Sequence, residues 1–263
     1  MRAVICIKAV RAEYVQTQEE SINSLVLNPY DLFALQQLVS VKNKYGIHIT
    51  CLCMGPPAAE QVLIRAIALG ADHAILLTDK IFAGSDTFAT SYILSKAIKK
   101  LQPIDIYICG GRAVDGETGQ VGNGIASRLC LPCLNGVSEI LKLDNKAVIV
   151  SRQTDTHNEI VQCCLPSLII FRNFSTKEES LSLMALKRAQ KYFIEKWDLK
   201  QISADKKHCG QAGSKTKVLN VEQINYGRMS KTINGTSVEK SKFVMDIINN
   251  IKGVNTKRNI IFG

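Results

Sequence analysis

Residues 110–124 read GGRAVDGETGQVGNG, and no other stretch of this chain is so well equipped to touch a small ligand. Six glycines fall at 110, 111, 116, 119, 122 and 124, with few bulky residues between them. Glycine lets backbone come close to a ligand, and backbone N–H groups at a helix start attract phosphate. Thr118 and Gln120 add side-chain donors. A long solvent loop could have the same composition, so the stretch by itself leaves both readings open. It is not a GxGxxG directly after the first strand, and no GK[ST] marks a Walker A loop. The four histidines, at 48, 73, 157 and 208, are dispersed, and no nucleophile stands beside a base. Cys130 and Cys133 have CxxC spacing, but no second pair follows to complete a tetrahedral metal site. These residue types describe a holder of nucleotides that lacks acid–base machinery and a metal of its own.

Such a loop needs a frame, and the first 130 residues supply one. Short β-branched runs at 3–7, 47–53, 74–77 and 104–109 alternate with helical periodicities at about 30–44, 57–69 and 86–101. Alternating strands and helices imply βαβ units, right-handed crossovers and a doubly wound, mostly parallel sheet of about five strands. Ligands bind such sheets beyond the carboxyl ends of the strands. The loops at 8–10, 54–56 and 110–122 lie at those ends. Asn28-Pro29 reads as an N-cap with proline at the first helical position, and Asp86 or Ser85 can cap the helix that follows. Gly55-Pro56-Pro57 ends one strand and opens the next helix, and Gly70 stops that helix.

After residue 135 the texture changes. Runs at 137–142, 147–153, 159–164 and 167–171 suggest a meander or hairpin beside the main sheet, followed by a helix at 180–191. Residues 200–235 are polar and read as an extended arm, and an amphipathic helix covers about 238–251. The organisation predicted is an α/β domain with a β extension over 1–191 and a C-terminal arm and helix over 192–263.

The bulk properties narrow the classes further. Hydrophobic content of 46% and charged content of 21% describe a globular protein, and no apolar run approaches the roughly 18 residues of a membrane span. Nine cysteines, mostly within apolar runs, with no secretion signal, point to structural thiols in a reducing cytoplasm. Residues 1–134 hold 12 Lys/Arg against 11 Asp/Glu, whereas 135–263 hold 21 against 12. The basic residues are scattered and rarely alternate with aromatics, which disfavours nucleic acid and suits a solvated surface or an acidic partner.

Six segments, in order, carry a resemblance: VICIK at 4–8, NPYD at 28–31, CMGPP at 53–57, ALGAD at 68–72, FAGSDTFATS at 82–91 and AVDGETGQVG at 113–122. The chain resembles the beta subunits of electron-transfer flavoproteins, the FixA type included. The resemblance implies a flavodoxin-like or adenine-nucleotide-hydrolase-like domain that pairs with an alpha subunit bearing FAD. It implies an adenine nucleotide in the strand-end cleft: structural AMP in the housekeeping branch, a second FAD in the flavin-bifurcating branch, whose DG[DE]TxQVG wording is the nearer. The contacts it implies are Cys6, Ala9, Asn28, Met54, and Val114, Asp115, Gly116, Glu117, Thr118, Gly119, Gln120, Val121 and Gly122. Electrons would pass between NADH or a flavin dehydrogenase, such as an acyl-CoA dehydrogenase, and the alpha-subunit FAD or ferredoxin. Leu181, Leu183, Met184 and Lys187 correspond to the helix that grips partner dehydrogenases.

The sequence also departs from the family's pattern. Asn123 stands where that branch often has proline, the stretch at 10–27 is shortened so that a hairpin is expected to be missing, and the entry to the recognition helix is altered. Two rivals of other classes share the general fold. A universal-stress-type nucleotide sensor would be a homodimer that binds ATP, and an ATP-dependent activating enzyme would carry an SGGxDS-like loop, which is absent from this sequence.

Overall fold

The computed structural model describes residues 1–15, 24–176, 181–220 and 232–255, which divide into two units, Met1–Lys217 and Val218–Gly263. In the first unit the chain runs β1 (Arg2–Ile7), β2 (Ala9–Arg11), β3 (Leu25–Leu27), α1 (Pro29–Tyr45), β4 (His48–Met54), α2 (Glu60–Leu69), β5 (His73–Leu77), α3 (Thr87–Leu101), β6 (Ile106–Gly110) and α4 (Val121–Leu129). It continues through β7 (Cys133–Leu143), β8 (Ala147–Gln153), β9 (Asn158–Cys164), β10 (Ser167–Phe171), α5 (Leu183–Gln190), β11 (Glu195–Trp197) and α6 (Gly210–Gly213).

Nine strands form one sheet in the order β11-β5-β4-β1-β6-β10-β7-β8-β9. Every pair from β11 to β7 is parallel, and the last two pairs are antiparallel. This is the doubly wound α/β architecture that the alternation predicts. Period-2 alternation sorts each strand between two cores. Ala3, Ile5 and Ile7 of β1 join α1 and α2 through Leu35, Leu38 and Leu63 on one face. Val4 and Cys6 join α3 and α4 through Ile93 and Ile125 on the other.

Three features differ from the sequence reading. The run at 167–171 is not part of the meander: β10 inserts between β6 and β7 as a parallel strand, buried at all five residues. A strand covered on both faces shows no alternation, so its place is not marked by periodicity. The meander β7-β8-β9 is hydrogen-bonded into the main sheet, where the sequence reading packs it beside that sheet. The hairpin expected to be missing is present at its base, where β2 pairs antiparallel with β3; residues 16–23 between them lie outside the described residues.

The polar stretch after 197 is also not an extended arm in its first part. Trp197 ends β11 at the sheet edge, buried beneath the Lys100 ammonium 4.0 Å from its ring centroid, and residues up to 217 fold back on the α3 face. Residues 221–231 of the predicted arm, and residue 180 of the predicted recognition helix, lie outside the described residues. The second unit holds α7 (Ser237–Asn255), opened by a capping box in which Glu239 accepts from the Thr236 amide at 2.8 Å and donates its own to the Thr236 hydroxyl at 3.4 Å. Val238, Val244 and Met245 of α7 are exposed. No helix among the described residues is long and apolar enough to cross a membrane.

α3 and α4 lie against each other because Gly124 leaves no side chain between them. A Cβ at 124 would stand 2.7 Å from Ser91 Oγ and 2.8 Å from Ser91 Cβ. Gly124→Ala gains about 1 kcal/mol of helix propensity and loses about 1–3 kcal/mol to overpacking. The crowded atoms include a Cβ anchored to α3, so the net outcome predicted is a loss on the order of 1 kcal/mol. A urea midpoint lower than that of the wild-type protein checks it, and a raised midpoint would contradict it.

Candidate nucleotide site

From β1 the chain returns through α1 on one face, and from β6 through α4 on the other. Since β1 and β6 are neighbours, their carboxyl-end loops diverge and leave a crevice between them, at the topological switch point of the sheet. Two buried residues at the start of α1 bridge it. The Asn28 amide donates to the Arg112 carbonyl and to Asp31 Oδ2, both at 2.9 Å, while its Oδ1 accepts from the Val114 amide at 3.2 Å. Asp31 accepts from the amide of Lys8 at 2.9 Å and from that of Gly110 at 3.1 Å. One short turn of α1 thus holds the loop after β1 and the loop after β6 together. β6 can come so close only because residue 110 is glycine: a Cβ there would collide with Asp31 Oδ1 and the Tyr30 backbone.

Burial pushes the Asp31 carboxyl up to about 7, against the opposing pull of the Asn28 amide, the Lys8 and Gly110 N–H groups and the Lys8 charge. Across the crevice mouth Lys8 Nζ pairs with Asp115 at 2.7 Å, a solvent-accessible pair worth at most about 1 kcal/mol. Glu117 occupies the left-handed region at φ 51°, which for a residue with a side chain costs on the order of 1 kcal/mol, and its amide bonds the Ala113 carbonyl.

The helix starts on either side of this loop differ in a telling way. Asp86 caps α3 by accepting from the Ala89 amide at 3.0 Å. α4 begins after Gln120 with no side chain capping it, so its first-turn N–H groups remain available to an anion. Thr118 and Thr87 meet beside it, hydroxyl to hydroxyl, at 3.1 Å. Lysine, two hydroxyls and uncapped amides are a donor set suited to phosphate.

Of the residues predicted to touch a nucleotide, Asn28, Val114 and Asp115 are joined to this crevice by direct contacts, and Gly116, Glu117, Thr118, Gly119, Gln120, Val121 and Gly122 continue the same loop into α4. Cys6 lies in register with Cys109 on β1 and β6, Ala9 opens β2, and Met54 ends β4 on the same edge. The predicted partner-binding residues lie elsewhere. Leu183 and Met184 stand exposed on α5 at 76% and 66%, Lys187 is exposed, and Leu181 precedes the helix half-exposed. α5 packs on α2, and just beyond it the Tyr192 hydroxyl meets His73 at 2.8 Å where β5 begins, the opposite edge of the sheet.

With this geometry in place, the relatives of the chain can be set beside it. Residues 18–202 match the electron transfer flavoprotein domain family. A FixA protein of Sinorhizobium fredii is 38% identical, the alignment spanning 95% of this chain and 92% of that protein. The electron transfer flavoprotein subunit beta of Clostridium acetobutylicum is 34% identical over 83% and 86%. Subunit CarD of the caffeyl-CoA reductase-Etf complex of Acetobacterium woodii is 34% identical over 82% of each. The chain belongs to the electron-transfer flavoprotein family.

Within that family it aligns with FixA and beta-subunit members, which assigns it to electron transfer and to a flavoprotein system. Asp31 is the residue of this electron-transfer flavoprotein chain that sequence reading missed. It stands within the NPYD segment, and a carboxylate two residues after Asn28-Pro29 in an otherwise apolar first turn is the signal present. Asn28 was read as a cap, but its side chain makes no capping bond and spans the crevice instead. A further cavity of about 760 Å³ opens on the β10–β7 side of β6, lined by Tyr30, Arg112, Gly136, Gln153, Arg172 and Phe174 among others. It shares Arg112 with the crevice.

Asp31 gives the crevice a pH signature. Its folded pKa of about 7 lies above the ordinary 3.8, so the stability it contributes is present below about pH 4 and is lost as pH rises through 7. Asp31→Asn removes an acceptor and destabilises by about 1–3 kcal/mol, and the gap between wild type and variant narrows from pH 5 to pH 8. Urea unfolding at the two pH values checks this; a gap that widens would contradict it.

Proposed function

We propose that the crevice between β1 and β6 holds an adenine nucleotide, FAD in preference to AMP, and that the chain acts as the beta subunit of an electron-transfer flavoprotein. The observation that carries the reading is the uncapped start of α4 at the end of the Gly-rich loop, beside Lys8 and Thr118. The adenosine and first phosphate, common to AMP and FAD, would lie along Cys6, Ala9, Asn28, Met54 and the Val114 end of the loop. The phosphates would take the α4 amides, Thr118 and Lys8 as donors. Opening the exposed Lys8–Asp115 pair frees the ammonium for them. Bound FAD would accept and pass on electrons; the chain's part is to fix its position and bias it with nearby dipoles.

In this reading the chain pairs with an alpha subunit carrying its own FAD. Electrons pass between NADH or a flavin dehydrogenase and the alpha-subunit FAD or ferredoxin, by flavin-based bifurcation, in the cytoplasm. The Acetobacterium relative, named as part of a caffeyl-CoA reductase complex, supports an acyl-CoA-type partner, and α5 with Leu181, Leu183, Met184 and Lys187 is the surface offered to it. The arm and helix predicted over 192–263 would wrap the alpha subunit; residues up to Lys217 belong to the nucleotide domain, which leaves the wrapping to the unit that follows, Val218–Gly263.

Gly116 discriminates between the two nucleotides. A Cβ there meets nothing within 4 Å and the backbone is not left-handed, so a side chain can be added without strain. FAD brings a second phosphate past this point and AMP does not. A carboxylate at 116 repels it by on the order of 1 kcal/mol or more, so Gly116→Asp lowers FAD affinity about tenfold while AMP binding changes less. Titration of both nucleotides into the heterodimer checks this. Equal losses, or none, would remove the case for FAD.

A further inference from the structure

Residues 205–217 form a strap over the start of α3, and its anchor is Asp86. Oδ2 of that carboxylate accepts from the amides of Lys215 at 2.6 Å and Thr216 at 2.9 Å and from the Thr216 hydroxyl at 3.1 Å, while Oδ1 caps α3. The Asp86 amide in turn donates to Ser214 Oγ at 2.8 Å. The carboxylate therefore divides its bonds between its own helix and a segment about 130 residues away in sequence.

Two contacts carry this anchorage onward to the Gly-rich loop. The residue after Asp86 is Thr87, whose hydroxyl donates to that of Thr118 within the loop. The next, Phe88, lies between two cations: Lys215 Nζ of the strap at 5.4 Å from its ring centroid and Arg128 Cζ of α4 at 4.4 Å. Arg128 also donates to the Phe88 carbonyl at 3.0 Å. The strap thus reaches both the middle of the loop and the helix that ends it.

We propose that Asp86 is a positioning residue through which the strap 205–217 holds the Gly-rich loop in its binding geometry, so that strap docking and adenine-nucleotide affinity are coupled. The affinity part rests on the reading of the loop as the nucleotide site; the mechanical part does not. Neither Asp86 nor Thr216 need touch the nucleotide, and by reciprocity a bound nucleotide tightens the strap.

Thr216→Pro tests this in the full-length protein, because it removes both Thr216 donors and leaves the Asp86 cap on α3 intact. Hydrogen exchange without ligand should quicken in the strap and also in the loop peptide 113–122. AMP affinity, read by calorimetry, should fall at least about five-fold, the lower end of usual coupling. Thr216→Ser, which keeps both donors, should restore both readouts. Thr87→Val covers the case in which the proline variant fails to fold: the strap should stay protected while the loop peptide 113–122 exchanges faster, and exchange alone is read because the Thr87 hydroxyl is itself one of the phosphate donors. A strap that opens while the loop and AMP affinity keep their wild-type values would overturn the coupling, as would a strap unaffected by Thr216→Pro. If wild-type protein binds no AMP, the nucleotide reading fails, and loop exchange alone decides the mechanical part.

Discussion

The structure turns on the bridge that Asn28 and Asp31 make between two loops the fold drives apart. A doubly wound sheet sends neighbouring central strands to opposite faces, and here β1 and β6 part in that way. Left alone, their loops would be solvent segments with no fixed separation. The amide of Asn28 and the carboxylate of Asp31 take up backbone groups from both loops, and both side chains are buried. Burying such groups is costly unless every bond is made, and their mutual bond together with the loop contacts makes them. The crevice is therefore built before any ligand arrives, which lowers the ordering entropy that binding must overcome.

The remaining polar chemistry fits a holder of an electron carrier. The buried carboxylate is occupied with backbone bonds. Burial pushes the thiols of Cys51 and Cys53 upward, Cys53 to about 12, so they behave as small apolar side chains. Among the described residues no group of three or more His, Cys, Asp or Glu could hold a metal ion. The start of α4, where the Gly-rich loop ends, carries no side-chain cap. Membership of the electron-transfer flavoprotein family accords with a chain that contributes shape and dipoles, with the electron chemistry residing in a flavin.

Much of this was legible in the sequence, for physical reasons that can be named. The strands β1, β4, β5 and β6 announce themselves through β-branched runs between helical periods, and Gly70, Asp86 and Gly55-Pro56-Pro57 mark their boundaries as read. β10 was misplaced because a strand buried on both faces carries no alternation, and its neighbours are set by a crossover that no local pattern encodes. β11 has three residues, too few for any period, and only its pairing with β5 identifies it. The loop at 113–122 is singled out by its glycines and wording. Asn28 reads as a cap in the sequence, whereas its side chain bonds Asp31 and two loop groups 84 and 86 residues away. Asp31 and the Asp86 strap contacts were missed for that same reason: they join segments whose proximity only the folded sheet creates.

The central claim is that this chain contributes an adenine-nucleotide site of its own, beside the flavin of its partner subunit. The most direct measurement is the number of adenine groups released on denaturing the purified heterodimer, with and without Asn28→Ala. The account predicts two per wild-type heterodimer and one in the variant, with the alpha-subunit flavin retained. One adenine group per wild-type heterodimer, all of it from the alpha subunit, would contradict it.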